Sequence, residues 1–205
     1  MKQIFQRSVL FAYKLAKNTG FLSTNIGLKL STNAYFLYKN LYEPKIDSLL
    51  TMIPLNSTII DVGANVGFLT LKFSRWVAHN GRVIAIEPEP LNVKMLTQIL
   101  KDKRITNVEI INGAAAEKEG MLFLNIHPLN PADHRISEDG LPIKAFTIDG
   151  LLESNSKLPV SLIKIDVQGA ELRVLEGAKK TLNTFKPIIL IKYMMRRSYL
   201  LGVLR

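Results

Sequence analysis

Five residues between positions 61 and 87 have the types and the spacing of a ligand-binding turn. In "TIIDVGANVG", Asp61 ends a run of β-forming residues, and Gly63, Asn65 and Gly67 follow before an amphipathic helical pattern begins. A second carboxylate, Glu87, ends the next β-rich run, "RVIAIE", 26 residues further on. A helix that starts directly after a parallel strand presents unpaired backbone N–H groups at the carboxyl edge of the sheet, where open α/β sheets bind ligands. These residues therefore predict a ligand site at that edge.

The two acids narrow the choice among nucleotide-like ligands. The turn lacks the G-x-x-x-x-G-K-[ST] pattern that cradles phosphates, and Asp61 would place negative charge close to a pyrophosphate. Glu87 is predicted to lie beside the turn, where its carboxylate could accept hydrogen bonds from both ribose hydroxyls. An adenosine ligand with an amine and a sulfonium suits this acidic strand end better. The alternative, a nicotinamide-dependent dehydrogenase, requires G-x-G-x-x-G after the first strand, and Gly63, Asn65 and Gly67 match it poorly.

The elements that must position these residues alternate along the chain. From position 58 onward, β-rich runs alternate with helical patterns, which is typical of βαβ units and a mainly parallel sheet. Strands are predicted at "TIIDV", "RVIAIE", "VEIIN", "SLIKID" and "PIILIKY", and helices over 66–78 and from about positions 90 and 170. "MLFLNI" and "IKAFTI" predict two further strands around the polar loop "HPLNPADHRISEDGLP". The predicted fold class is α/β, Rossmann-like and doubly wound, with a helical N-terminal extension.

Length and composition limit the number of domains and the kinds of functional site. The chain has 205 residues, 47% of them hydrophobic, which is enough for one α/β domain with an extension. We expect the extension over residues 1–50 and the ligand-binding domain over 51–205. With no cysteine, thiolate chemistry is excluded, and a cytoplasmic location is compatible. Three scattered histidines do not form a metal-ligand cluster, so no metal is expected.

The basic residues are concentrated at the two ends of the chain. The formal charge is +10, while residues 51–185 balance at fifteen basic against fifteen acidic residues. The basic ends either solvate exposed helix faces or contact an anionic partner. The segment "MKQIFQRSVLFAYKLAKNTG" is interpreted as an amphipathic helix that packs on the domain or makes peripheral contact with a membrane. No nucleic acid partner is expected.

Several ordered motifs together resemble one enzyme family. "DVGANVG", "AIEP", "IKIDVQGAELRVLEGA" and "PIILIKY" occur in the order and spacing of the FkbM family of S-adenosylmethionine-dependent methyltransferases. The similarity extends from about position 42 to 193 and includes "YEP" before the first strand and "DHRI" in the long loop. The first motif alone fits any class I methyltransferase, whereas "IKIDVQGAE" is similar to this family in particular.

The resemblance implies a set of cofactor-binding residues. Asp61, Gly63, Asn65 and Gly67 would surround the methionine part of S-adenosylmethionine, and Glu87 would hold its ribose. Asn112 and Ala114, after the third strand, would lie by the adenine. Two of these residues have simpler explanations. Asn65 could serve as a helix cap without contacting a ligand, and Ala114 could be required just for its small size.

Methyl transfer to a hydroxyl requires a base, and two residues are candidates. Asp166, at the end of "SLIKID", should lie at the same sheet edge as Asp61, although it could instead brace the following turn. His134 in the long loop is the other candidate, and the neighbouring Arg135 could clamp a polar or anionic acceptor. The acceptor is expected to be an oxygen of a sugar, glycan or secondary metabolite, as the resemblance suggests.

Three further residues are site candidates: Lys164 for catalysis, and Gln168 and Glu171 for binding the acceptor. Lys164 points opposite to its apolar neighbours in a strand built for burial, so it needs a partner, for which Glu171 is the candidate. Gln168 stands where the family usually has glutamate, and so does Lys192. These two departures raise an alternative function, a catalytically impaired Rossmann-like protein that binds or scaffolds a partner.

The end of the chain also departs from the family. Class I methyltransferases close the sheet with a further helix and an antiparallel hairpin after the fifth strand, and the twelve residues that follow "PIILIKY" cannot supply them. The fifth strand is therefore expected near an unprotected edge, which a terminal helix or a second copy of the chain would cover.

Overall fold

The computed structural model describes residues 19–21, 24–42, 45–78, 80–125, 135–153, 158–193 and 198–203. The helices within these ranges are α1 Asn25–Tyr42, α2 Phe68–Trp76, α3 Pro90–Asp102, α4 Ile148–Glu153, α5 Glu171–Glu176 and α6 Lys179–Phe185, and a 3₁₀ segment spans Asp47–Met52. The strands are β1 Thr58–Val62, β2 Arg82–Glu87, β3 Val108–Asn112, β4 Ala114–Ala115, β5 Gly120–Asn125, β6 Arg135–Ser137, β7 Leu141–Phe146, β8 Val160–Ile165, β9 Ile188–Tyr193 and β10 Ser198–Val203.

The main sheet is Rossmann-like, as the alternating pattern predicts. Its strand order is β10-β9-β8-β1-β2-β3, and every neighbouring pair is parallel except β9 with β10. All five residues of β1 are buried, because helices cover both faces of the sheet. This explains why the central strands are nearly continuous apolar runs rather than alternating ones.

Two apolar layers hold the helices on the sheet. On one face, Ile60, Ile84 and Ile163 pack with Val174 of α5. On the other face, Ile59 and its neighbours pack against Phe73 of α2, which is fully buried. Asp61 in β1 and Lys164 in β8 are charged residues within these buried strands, and both are almost inaccessible to solvent.

The described part of the N-terminal extension packs on the domain. In α1, Leu28 is buried against Val66 and Met95. A cavity of about 230 Å³ lies between α1 and the C-terminal half of α3, away from the strand ends. Residues 1–18, on which the predicted membrane contact depends, lie outside the described residues. Among those described, no helix has the length and apolar character needed to cross a membrane.

A second, smaller sheet follows β3, with the strand order β4-β7-β5-β6. The predictions of strands at "MLFLNI" and "IKAFTI" are confirmed by β5 and β7. The polar segment between them is not all loop, because β6 pairs antiparallel with β5. This strand is only three residues long, and its sequence carries no hydrophobic alternation.

The single helix predicted after the fourth strand is wrong, since the chain forms two short helices, α5 and α6. A Cβ on Gly177, between them, would lie 2.0 Å from the Ala116 carbonyl oxygen, so the chain passes too close to its neighbour there for a side chain. A bidentate ion pair from Arg173 to Glu117 fixes α5 beside the segment after β4 and lowers the pKa of Glu117 to about 2. Leu172, in α5, is 69% exposed.

The expectation of an unprotected fifth strand is also wrong. Residues 198–203 form β10, which pairs antiparallel with the whole of β9 from Ser198 with Tyr193 to Val203 with Ile188. The end of the chain therefore supplies one strand of the expected hairpin. A second copy of the chain is not needed to cover β9.

Candidate functional site

The predicted site residues gather where the winding of the main sheet reverses. From β1 the chain proceeds to β2 and β3 on one side, whereas β8 and β9 lie on the other. The loops after β1 and β8 therefore leave the sheet in opposite directions and open a crevice at the carboxyl edge. This crevice brings together the ends of three strands, with Asp61 in β1, Glu87 at the end of β2 and Asp166 directly after β8.

A buried ion pair lies beneath the crevice. Lys164 and Asp61 are direct cross-strand neighbours in β8 and β1, and Lys164 Nζ lies 2.8 Å from Asp61 Oδ1. The same ammonium donates to the carbonyl oxygens of Val62 (3.1 Å) and Gly63 (2.7 Å). The hydroxyl of Thr70, in α2, donates to Asp61 Oδ2 at 2.6 Å. These contacts link β8, β1, the turn and α2.

This pairing corrects the prediction for Lys164. Its partner is Asp61 and not Glu171, whose Oε1 instead accepts the backbone N–H of Gly169. Cross-strand register brings Lys164 to Asp61, and a shift in the β1–β8 register between Thr58 and Ile59 makes that register hard to infer from sequence. Because Lys164 is 2% exposed, it serves to hold the turn in place and does not face an acceptor.

The turn after β1 has the left-handed backbone that its residues permit. Gly63, Asn65 and Gly67 have φ values of 74°, 52° and 89°. Asn65 does not cap α2 in the usual way, since its Oδ1 accepts the N–H of the adjacent Val66. The helix begins at Phe68, two residues later than predicted, because Gly67 is in the left-handed region. The glycines also serve packing, and a Cβ on Gly67 would lie 2.3 Å from Leu96 Cδ1.

Gly63→Ala is expected to destabilise the protein more than Gly169→Ala. Both residues have positive φ, which costs a non-glycine residue about 1–2 kcal/mol. At Gly63 a Cβ would also lie 2.2 Å from the Asp166 carbonyl oxygen, whereas at Gly169 it would meet nothing within 4 Å. Urea unfolding should give a loss of about 3 kcal/mol or more for Gly63→Ala and about 1–2 kcal/mol for Gly169→Ala. Equal losses would show that the turn moves freely away from Asp166.

Glu87 joins the end of β2 to the turn. Its Oε2 accepts the backbone N–H of Asn65 at 2.7 Å. Its Oε1 accepts the backbone N–H of Glu89 (3.1 Å) and the side-chain amide of Asn92 (3.0 Å). Burial raises the pKa of the Glu87 carboxyl above its ordinary value, and the three N–H donors partly oppose that shift. The carboxylate is thus held at the crevice by the turn and by the start of α3.

Asn112 and Ala114, which are predicted to lie beside an adenine, also have structural roles. The side-chain amide of Asn112 donates to the carbonyl oxygens of Glu87 and Pro88, so it fixes the chain leaving β2. Ala114 is buried and packs with Leu124 and other residues in the core of the small sheet. Asn112 lies at the crevice edge through its contact with Glu87, and a role for either residue at a cofactor stays a prediction.

Asp166 is paired with a residue from the neighbouring strand. Lys192 Nζ, in β9, donates to Asp166 Oδ2 at 2.9 Å, and both side chains keep about a quarter to a fifth of their surface exposed. Asp166 therefore lies at the edge of the crevice and in contact with solvent, as a base or a binding residue must. Gln168 and Glu171 follow within the next five residues, and both are half-buried.

The long-loop candidates cannot be placed beside these groups. His134 lies outside the described residues, and only the backbone of Arg135 is described, at the start of β6. The sequence alone did not indicate the contact of Thr70 with Asp61, the contact of Asn92 with Glu87, or the pairing of Lys192 with Asp166. For Thr70 a signal existed, because it lies in the first turn of a helix packed on Asp61.

Comparison with known proteins agrees with the fold. The model of the methyltransferase FkbM domain matches residues 61–202, which is most of the chain. The chain belongs to this family of methyltransferases. The match begins at Asp61 and includes all but the last residue of β10, the strand that pairs with β9.

Curated relatives match parts of this chain. The chain is 28% identical over 130 residues to the hexuronic acid methyltransferase AglP of Haloferax volcanii, covering 63% of this chain and 53% of that protein. It is 33% identical over 100 residues to a probable ribosomal RNA small subunit methyltransferase A of Methanosphaera stadtmanae, covering 48% of this chain and 35% of the relative. The chain thus spans about half or less of the length of these two relatives.

A solved structure supports the fold. The crystal structure of the methyltransferase FkbM from Methylobacillus flagellatus KT superposes with a TM-score of 0.52 at 21% identity, covering 77% of this chain and 39% of that one. At this identity the likeness establishes the shared architecture only.

Proposed function

We propose that this FkbM-domain protein transfers a methyl group from S-adenosylmethionine to a hydroxyl of a sugar, glycan or secondary metabolite. The observation that carries the proposal is Glu87, a buried carboxylate at the end of β2 that accepts the N–H of Asn65 in the turn after β1. The strand-end acid and the turn thereby form one rigid unit at the crevice. A ribose is a ligand whose hydroxyl donors match such an acceptor.

The residues present fit the cofactor, and the two acids have different roles. Glu87 keeps acceptor capacity after its three hydrogen bonds, so it can hold a ribose hydroxyl directly. Asp61 is fully buried and both its oxygens are engaged, by Lys164 and Thr70, so it supports the turn from below. Gly63, Asn65 and Gly67 would then contact the methionine part through the backbone of the turn.

Among the described residues, Asp166 is the candidate base on the acceptor side. S-adenosylmethionine supplies an already activated methyl group, so the protein's tasks are to align the acceptor, exclude water and take up the hydroxyl proton. Asp166 is a partly exposed carboxylate at the edge of the crevice, and the proton would pass to its carboxylate oxygens. The ammonium of Lys192 must leave at least one of those oxygens free, and it can then orient the other. His134 stays the alternative base, and Arg135 the candidate contact for a polar or anionic acceptor.

The name of one relative narrows the acceptor class. The protein from Haloferax volcanii is a hexuronic acid methyltransferase, and it aligns with 63% of this chain. An acidic sugar is therefore the first acceptor to test. Lys192, a cation at the crevice edge, is consistent with an acceptor that carries a carboxylate.

A second function rests on the same Asp166–Lys192 pair. If the lysine holds the carboxylate permanently, the protein binds the cofactor without turnover and acts as a binding or scaffolding protein. The basic ends of the chain would then contact an anionic partner. Cofactor affinity combined with no turnover on any hydroxyl acceptor would favour this alternative.

Calorimetric titration with S-adenosylmethionine, S-adenosylhomocysteine and NAD tests the proposal directly. We expect the two adenosyl ligands to bind and NAD not to bind. A folded chain that binds none of the three, or NAD alone, would contradict the assignment. Glucuronic acid and glucose glycosides, titrated with S-adenosylhomocysteine present, then compare acidic with neutral acceptors.

Asp166→Asn is expected to lower turnover by about 10²–10⁴-fold with little change in the affinity for S-adenosylhomocysteine. The amide keeps the shape and the contact with Lys192 but cannot take up a proton. Lys192→Met, measured beside it, separates the loss of the base from the loss of its partner. Equal losses in turnover and in cofactor affinity for Asp166→Asn would move this residue from catalysis to binding.

A further inference from the structure

The hydrogen bonds of Glu87 leave it too few acceptor positions for both hydroxyls of a ribose. A carboxylate has about four lone-pair positions. Two positions on Oε1 are filled by Glu89 N–H and the amide of Asn92, and one on Oε2 is filled by Asn65 N–H. One position remains, on Oε2. A ribose presents two neighbouring hydroxyl donors, so the second needs another acceptor or must displace an existing bond.

Asn92 supplies an unused acceptor next to this carboxylate. The side chain is 1% exposed and lies in the first turn of α3. Its amide nitrogen donates to Glu87 Oε1, which fixes the orientation of the amide because the opposite orientation would place two oxygens together. Its Oδ1 is buried and has no hydrogen-bond partner among the residues that the structure describes. A buried amide oxygen without a donor is unfavourable by about the desolvation penalty of that group, so its retention calls for a ligand.

We propose that Asn92 is a second ribose-binding residue, so that Glu87 accepts one hydroxyl and Asn92 Oδ1 accepts the other. The proposal rests on the proposed function, because it assumes an adenosyl ligand in the crevice. It assigns to the pair a recognition of the vicinal diol that neither residue has alone. A ligand lacking either hydroxyl would leave one buried acceptor without a donor, and the site would discriminate against it.

A simpler role for Asn92 is to orient Glu87 through its N–H donor. In that case its substitution weakens the binding of every adenosyl ligand by the same factor, whichever hydroxyls the ligand carries. The proposed role instead couples Asn92 to one particular hydroxyl. The two roles therefore differ in a ratio of affinities, and a general loss of stability does not change that ratio.

The experiment compares three ligands by calorimetry: S-adenosylhomocysteine and its 2′-deoxy and 3′-deoxy forms. The proteins are the wild-type chain, Asn92→Leu, Asn92→Ser and Glu87→Gln. Asn92→Leu keeps the volume and removes both polar atoms, while Asn92→Ser retains a small donor for Glu87 should the leucine variant fold poorly. Gln98→Leu is the matched control, because it removes an amide from the same helix whose contact is with Asp102.

We expect the wild-type chain to bind each deoxy ligand about tenfold more weakly than S-adenosylhomocysteine. In both Asn92 variants, one deoxy ligand should bind as well as S-adenosylhomocysteine, while the other keeps its tenfold loss. In Glu87→Gln, the other deoxy ligand should bind as well as S-adenosylhomocysteine, while the one that became equal in the Asn92 variants should again bind more weakly. Gln98→Leu should retain both wild-type ratios.

Three results would overturn the inference while leaving the proposed function intact. These are equal weakening of all three ligands by the Asn92 substitutions, coupling of Glu87→Gln to both hydroxyls, and wild-type binding that is indifferent to the hydroxyls. Failure of the folded wild-type chain to bind any of the three ligands would instead overturn the proposed function, and the inference with it.

Discussion

Replacing Lys164 by methionine lowers the free energy of unfolding by about 3–5 kcal/mol, the typical effect of removing one partner of a buried ion pair. The side chains of Lys164 and Asp61 are 3% and 0% exposed, and the ammonium also serves two backbone carbonyls. Without the ammonium, the donor left to the carboxylate of Asp61 among the described residues is the Thr70 hydroxyl. Urea unfolding at neutral pH measures the loss.

The double variant Asp61→Asn/Lys164→Met tests the physical reason. Because it removes both charges, it should recover a large part of the loss seen in Lys164→Met. The carbonyl of Val62 still accepts the backbone N–H of Asp166, so mainly the carbonyl of Gly63 loses its donor. Lys180→Met is a matched control, since Lys180 forms an ion pair with Glu153 in which both side chains are exposed, and its removal should have little effect. A double variant as unstable as the sum of its single variants would show that Asp61 and Lys164 act independently.

The second large effect is expected at Glu87, where Glu87→Gln should weaken the binding of S-adenosylhomocysteine by roughly 10–100-fold. The amide cannot accept from all three N–H donors that now surround the carboxylate, and the charged acceptor for a ribose hydroxyl is lost. Calorimetry measures the change. Glu109→Gln is the matched control, because Glu109 is paired with Arg82 outside the crevice and should leave the affinity unchanged.

The pH dependence of Glu87 gives an independent test. Its pKa is raised above the ordinary value of 4.5, so the folded state retains a proton that the unfolded state releases. The corresponding stability is present below pH 4.5 and is lost as the pH rises through the raised pKa. Glu87→Gln removes this dependence, so the wild-type chain should lose stability relative to the variant as the pH increases across that interval.

Ligand binding should shift the same equilibrium in the opposite direction. A ribose hydroxyl that donates to Glu87 favours the ionised carboxylate, so binding should release protons near the raised pKa. Calorimetry in two buffers of different ionisation enthalpy detects the release. Proton release that persists in Glu87→Gln would assign it to another group.

The sequence was sufficient for the strands and for the acids at their ends, because both depend on local pattern. β1, β2 and β3 occur where apolar runs predict them, and Asp61 and Glu87 lie at the edge that parallel strands share. What could not be predicted depends on register between distant segments. Lys164 was assigned to Glu171, seven residues away, whereas the cross-strand register pairs it with Asp61.

The same limit explains the errors in the second half of the chain. The break between α5 and α6 lies at Gly177, where the chain passes close to Ala116, and only the tertiary fold creates this approach. β10 could not be predicted because "SYLLGV" does not alternate between apolar and polar residues. Its strand conformation depends on pairing with β9. The donors that surround Glu87 come from a turn and a helix start, so their convergence is likewise a property of the fold.

The position of β1 between β2 and β8 has a kinetic consequence. β2 follows β1 closely, whereas Lys164 of β8 reaches a carbonyl of β1 from 102 residues further along the chain. During synthesis, one edge of β1 therefore stays open, with Asp61 in water, until β8 has left the ribosome. Contacts that close such long loops form late, so the Lys164–Asp61 pair should be largely absent from the folding transition state. We expect Lys164→Met to accelerate unfolding far more than it slows folding, so this ion pair sets how long the folded protein survives.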